Sequence, residues 1–131
     1  NEIMKKEKIE TPLVEIPRKG ISQAVKFGNI LFVSGQVGED INGKAAEGIQ
    51  AQTELAIENA RKVIEAAGAT LDDVLMCRFF LQRLSDFDGM NEVYYRFFGE
   101  QEVGPARYTV VASPVAEELL VEVAMLVGLP D

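Results

Sequence analysis

Glu122 is the one charged residue between Leu119 and Val127, in a run of aliphatic side chains whose alternation predicts a strand. Burying a carboxylate there is costly unless it is paired or bonded. Three readings stay open: a solvated position beside an edge, a structural pair with a Lys or Arg, or a buried acid whose raised pKa suits holding and activating a water. Arg107 follows Gly104-Pro105-Ala106, directly after a loop, where binding groups are often carried. Its planar fork can grip a carboxylate through two parallel hydrogen bonds, or it is a solvated surface cation. Strand parity puts Thr109 on the same face, so a cation and a hydroxyl lie side by side. Ser34-Gly35-Gln36 ends a predicted hairpin, and Gly35 would let the backbone approach a ligand, although most such triplets are only turns. Asn91 is a polar residue beside an aromatic stripe, where solvation of a helix explains it as well as binding does.

The rest of the composition narrows the chemistry. The 131 residues contain no His and one Cys, so neither a Ser-His or Cys-His nucleophilic site nor a disulfide or thiolate metal cluster can be built from this chain alone. Cys77 alternates with apolar neighbours and reads as a small core residue. Thirteen Lys and Arg against 21 Asp and Glu give a net charge of −8, which repels phosphate backbones and makes nucleic acid a poor partner. No run approaches the roughly 18 apolar residues a membrane helix needs, and no leader-like segment opens the chain, so the expectation is a cytoplasmic protein. The start at Asn1 instead of Met fits a processed or extended terminus.

These residues need elements to hold them. The length fits a single domain spanning 1–131. Residues 1–17, interrupted by Pro12 and Pro17, read as an irregular arm with room for one short edge strand. Ser22–Phe27 and Ile30–Gly35 flank Gly28-Asn29 as a hairpin whose tight turn asks for positive φ. From Ile49 to Ala67 apolar residues recur every three or four positions, predicting a helix that stops at Gly68. Val74–Leu84 reads as a mostly buried strand. Ser85 and Asp88 resemble a capping box before a second helix, whose stripe runs through Phe87, Met90, Tyr94, Phe97 and Phe98 to Gly99. Ala106–Ala112 and Leu119–Val127 complete the order β-β-α-β-α-β-β, with both helices on one face of a sheet. The other face, assigned to Val121, Val123, Met125 and Val127, is apolar and calls for self-association.

Taken together, Ser22-Gln23, Gly28-Asn29, Ser34-Gly35-Gln36, Ala66-Ala67-Gly68, Asp86-Phe87, Asn91, Phe97-Phe98, Pro105-Ala106-Arg107 and Val121-Glu122-Val123 resemble, in order, the Rid (reactive intermediate deaminase, YjgF-like) family over roughly Ile21–Val127. The Pro-Ala-Arg triplet followed by a Glu between aliphatics is the most specific part. The resemblance implies an α+β fold like that of the bacterial chorismate mutases, with two helices on one face of a mixed sheet. It implies a homotrimer around a central barrel with active sites between subunits. It also implies hydrolysis of 2-aminoacrylate, 2-iminobutanoate and related imines to 2-keto acids and ammonia, with no cofactor and no metal.

On that resemblance Arg107 binds the substrate carboxylate and Glu122 holds the attacking water or relays its proton. Gly35 and Thr109 contact the imine end through their backbones, Ser34 and Asn91 add polar contacts, and Ile21 lines the pocket. Three positions depart from the better-known pattern: Ile21 replaces a Tyr, Thr109 a Cys, and Tyr108 a residue that is usually small. Imine hydrolysis needs no thiol, but the pocket's size and polarity must differ. Two other readings stay open: a non-catalytic trimer that senses small carboxylates such as 2-keto acids, and an RNA-cleaving activity, which the charge and the lack of His disfavour.

Overall fold

Alternation between buried and half-buried residues runs without a break through β6 (Val121–Gly128), and this strand is the spine of the molecule. The computed structural model describes residues 4–131. β6 lies between β3 (Ile30–Val37) and β4 (Val74–Leu81) and pairs antiparallel with both. β2 (Ala24–Phe27) extends the sheet beyond β3, and β5 (Ala106–Val111) joins β4 in parallel. The predicted edge strand in the arm is present as β1 (Glu7–Ile9), antiparallel to β2. The result is a mixed sheet of six strands in the order β1-β2-β3-β6-β4-β5, the five strands of the seven-element order plus the edge strand of the arm.

Two helices cover one face, as expected. α1 (Ile49–Ala66) places Ala56, Ile57, Ala60, Val63 and Ile64 against the sheet, the small alanines letting the helix lie close. It ends in a Schellman motif: Gly68 has φ 84°, its N–H reaches the carbonyl of Glu65, and the N–H of Ala69 reaches that of Ile64. α2 (Phe87–Phe98) buries Met90, Val93, Tyr94 and Phe98. No capping box starts it. Ser85 lies in a single 3₁₀ turn, Leu84–Asp86, and Asp86 instead accepts from Arg83 Nε at 2.9 Å. In the first hairpin only Gly28 has positive φ, the pattern of a type II′ turn, so Asn29 is not strained.

One expectation is reversed. Val121, Val123, Met125 and Val127 are fully or almost fully buried because they face the helices, not the uncovered side. The period of two identifies two faces but carries no label for which one the helices take. The uncovered face presents Glu122, Ala124 and Leu126, with Phe32 on β3, Arg78 and Phe80 on β4, and Tyr108 and Val110 on β5. Phe32 is 51% exposed and Tyr108 45%. No helix among the described residues is long and apolar enough to cross a membrane.

Candidate functional site

A bulge sets the position of Glu122. The β3–β6 register shifts between Val33 and Gln36, so that Val37 lies opposite Glu122 and Ser34-Gly35 is the extra backbone. A Cβ on Gly35 would lie 2.6 Å from Glu122 Oε2 and 2.8 Å from its Cδ. What approaches the Gly35 backbone is therefore the Glu122 carboxylate, and only glycine leaves room for it. Burial raises the Glu122 pKa above the ordinary 4.5, and no hydrogen bond or ion pair to this side chain occurs among the described residues. Ser34 is already engaged, its hydroxyl donating to the carbonyl of Ser22 at 2.6 Å.

Glu122, Ser34, Gly35 and Ile21 all line a cavity of about 540 Å³. Its far wall is the N-terminal arm from Val14 to Arg18, pinned by a residue that sequence reasoning passed over as a motif letter. Gln23, 2% exposed, accepts from the Thr11 N–H at 2.8 Å and donates to the carbonyls of Thr11 and Val14 at 3.0 and 3.1 Å. Ile21, Ile41 and Val115 give the cavity an apolar side. At its rim Glu39 has a raised pKa, first from burial and then from the neighbouring Glu15, Glu118 and Asp40.

Arg107 is elsewhere. It pairs in register with Cys77 and lies on the helix-covered side of β5, beneath α2, in a second cavity of about 340 Å³ lined by Tyr94, Tyr95 and Pro105. Nη1 donates to Asn91 Oδ1 at 2.7 Å, and Cζ lies 4.6 Å from the Tyr94 ring centroid and 5.9 Å from those of Phe79 and Phe87. Among the described residues no carboxylate pairs with this cation. Burial pushes the Tyr94 phenol and the Cys77 thiol each up to about 12, with Arg107 partly opposing the rise. Cys77 is fully buried and stays a thiol, as the sequence predicts for a core residue.

Thr109 shares the Arg107 face, and its Oγ1 is buried without a partner among the described residues. β5 ends the sheet, and because the Ala112 N–H bonds inward to Leu81, alternation turns the N–H of Thr109 outward at a free edge. Within one chain the predicted residues thus fall into two groups on opposite sheet faces: Arg107, Asn91 and Thr109 in one, Glu122, Gly35, Ser34 and Ile21 in the other. The aromatic stripe of α2 also touches the guanidinium, and the signal for this in the sequence is the spacing of Phe87, Asn91 and Tyr94 on one helix face. No group of three or more metal-ligating side chains occurs among the described residues.

Comparison with known proteins places the chain in a family. The family model described as Endoribonuclease L-PSP matches residues 14–128. A RutC family protein of Pyrococcus abyssi is 42% identical over 121 residues, covering 91% of this chain and 94% of its own. A 2-iminobutanoate/2-iminopropanoate deaminase of Dermatophagoides farinae is 35% identical, covering 91% and 93%. Among solved structures, TdcF of E. coli with bound serine superposes with a TM-score of 0.86 at 28% identity, covering 93% of this chain and 98% of that one.

Proposed function

The chain belongs to the Endoribonuclease L-PSP family, the Rid family its motifs resemble, and on that premise we propose that it is a deaminase hydrolysing reactive 2-imino and 2-enamino acids to 2-keto acids and ammonia. The observation that carries this reading is the state of Arg107: a partly buried guanidinium, held by rings and a neutral amide, with no anion of its own among the described residues. A small substrate carboxylate supplies that anion and can take two parallel hydrogen bonds from the fork. The deaminase from Dermatophagoides and the serine held by TdcF, itself a small carboxylate, support the same chemistry.

Hydrolysis requires a water on the imine carbon. The Glu122 carboxylate accepts a proton as the water oxygen bonds to that carbon and the C=N electron pair moves to nitrogen. Glu122 returns that proton to the nitrogen to give the neutral carbinolamine; the hydroxyl proton then passes through Glu122 to the nitrogen as the C=O bond forms and the C–N bond breaks, releasing the 2-keto acid and ammonia. A 2-enamino acid first takes a proton at its terminal carbon and gives one up from its nitrogen, which makes it the imine. The outward N–H of Thr109, two residues along β5 from Arg107, orients the substrate.

Arg107 and Glu122 lie on opposite faces of one sheet, so a substrate of a few carbons cannot bridge them within a chain. The site is completed when Arg107 of one subunit faces Glu122 of the next, across the clefts of a homotrimer whose contacts cover the apolar face carrying Phe32, Leu126 and Tyr108. The partner is thus a small imino acid and further copies of the chain. A net charge of −8 argues against RNA as substrate.

The test is release of 2-keto acid from imines generated in situ by a threonine dehydratase acting on threonine and serine. Wild type is expected to accelerate it, and Arg107→Ala to lose the acceleration with its fold intact. Unchanged turnover by Arg107→Ala sinks the clamp; no acceleration by wild type moves the reading to a carboxylate-binding trimer.

A further inference from the structure

Arginine is a long side chain, and a ligand that must first order it binds more weakly than one that finds it already fixed. The usual way to fix it is a neighbouring carboxylate, but such a partner would compete with the substrate's own. Around Arg107 the chain uses neutral groups instead. Phe87, Asn91 and Tyr94, spaced four and three residues apart, project from one face of α2, and Phe79 faces them from β4. The Tyr94 ring is the nearest to the guanidinium, at 4.6 Å. It is itself immobile: 5% exposed, stacked on Phe98 at 4.8 Å, and edge-on to Phe79 at 5.7 Å and to Tyr95 at 5.4 Å.

We propose that Tyr94 is the positioning residue of the carboxylate clamp: its ring face, with Phe87 and Asn91 beside it on α2, holds the Arg107 guanidinium in its binding orientation before any ligand arrives. The attraction is to the ring quadrupole, which is strongest where water is excluded and leaves the positive charge unneutralised for the substrate. Asn91 accepts from one nitrogen and so fixes the rotation of the fork, leaving the remaining donors for the ligand. In this arrangement Asn91 acts through Arg107 and does not itself touch the substrate. The proposal rests on Arg107 being the clamp.

The test uses the full chain with ¹⁵N-labelled arginine and 2-oxobutanoate as probe. In wild type the Arg107 Nε–H resonance is expected to be shifted by the ring current, and Tyr94→Phe, which keeps the ring, should preserve both that shift and the affinity. Tyr94→Leu should abolish the shift and raise the Kd about tenfold, while amide resonances away from the site stay in place. Should Tyr94→Leu fail to fold, Phe87→Leu removes a ring at lower packing cost and should weaken binding several-fold. An unchanged shift and Kd in a folded leucine variant overturn the proposal, as does a loss in Tyr94→Phe equal to that in Tyr94→Leu, which would assign the effect to the hydroxyl. If Arg107→Ala binds 2-oxobutanoate as well as wild type, the clamp reading itself fails, and the Arg107 resonance still reports separately whether Tyr94 holds the guanidinium.

Discussion

Glu122 and Gly35 form a pair in which one residue's lack of a side chain makes the other's position possible. With a Cβ at 35 the backbone cannot move without breaking β3, but a glutamate side chain can, so the expected result of Gly35→Ala is a folded protein with a displaced carboxylate. Misplacing a catalytic group by about 1 Å can cost on the order of a hundredfold in rate. A kcat loss of that size with an unchanged melting curve is the expected outcome, and full activity would remove Glu122 from the chemistry. The pH dependence has a definite sign. Burial raises the Glu122 pKa above 4.5, and a base works only when ionised, so kcat/KM should fall as pH drops through that raised value. The acid limb should therefore lie above 4.5 and be absent from Glu122→Gln, whose residual rate should be about a hundredfold or more lower. Both side chains stand out in the sequence as candidates, because an isolated charge in an aliphatic run and an arginine after a Gly-Pro break are visible in one dimension. That they face opposite ways could not be found there, since strand parity gives relative faces only.

Helical and strand periods made most elements legible, because α1 and β6 bury one clean stripe each. What escaped was whatever a side chain in one element does for the backbone of another. Gln23 is the clearest case: in the sequence it is a polar residue at the start of a strand, and in the fold it replaces backbone partners for an arm that has too little regular structure of its own. Gln52 acts similarly, taking the Leu120 N–H and donating to the carbonyls of Ala46 and Glu118, and Asn59 donates to those of Val37 and Glu39. These three amides tie the arm and two loops onto the sheet around the first cavity. Gln23→Leu would leave the Thr11 N–H and two carbonyls buried without partners, at about 1–3 kcal/mol each before relaxation. The expected outcome is a loss of about 2–4 kcal/mol in urea unfolding together with faster tryptic cleavage at Arg18 and Lys19. Equal stability would mean that the arm is held by Val14 packing alone.

At the scale of the whole molecule, the sheet has one covered face and one apolar open face, and the candidate site is divided between them. If a site forms only where Arg107 of one subunit meets Glu122 of another, two inactive variants should complement each other. Mixing equal amounts of Arg107→Ala and Glu122→Gln subunits under dissociating conditions, then reassembling them, gives each cleft an intact arginine in half of cases and an intact glutamate in half. Independent choice of the two neighbours makes about one quarter of the clefts complete. The measurement is imine hydrolysis by the reassembled mixture relative to wild type taken through the same treatment, with each variant alone as the baseline. Recovery to about 25% of the wild-type rate is expected. A site built within one chain would give no recovery at all, because every subunit carries one lesion, and that result would overturn the shared cleft while leaving the separate roles of the two residues intact.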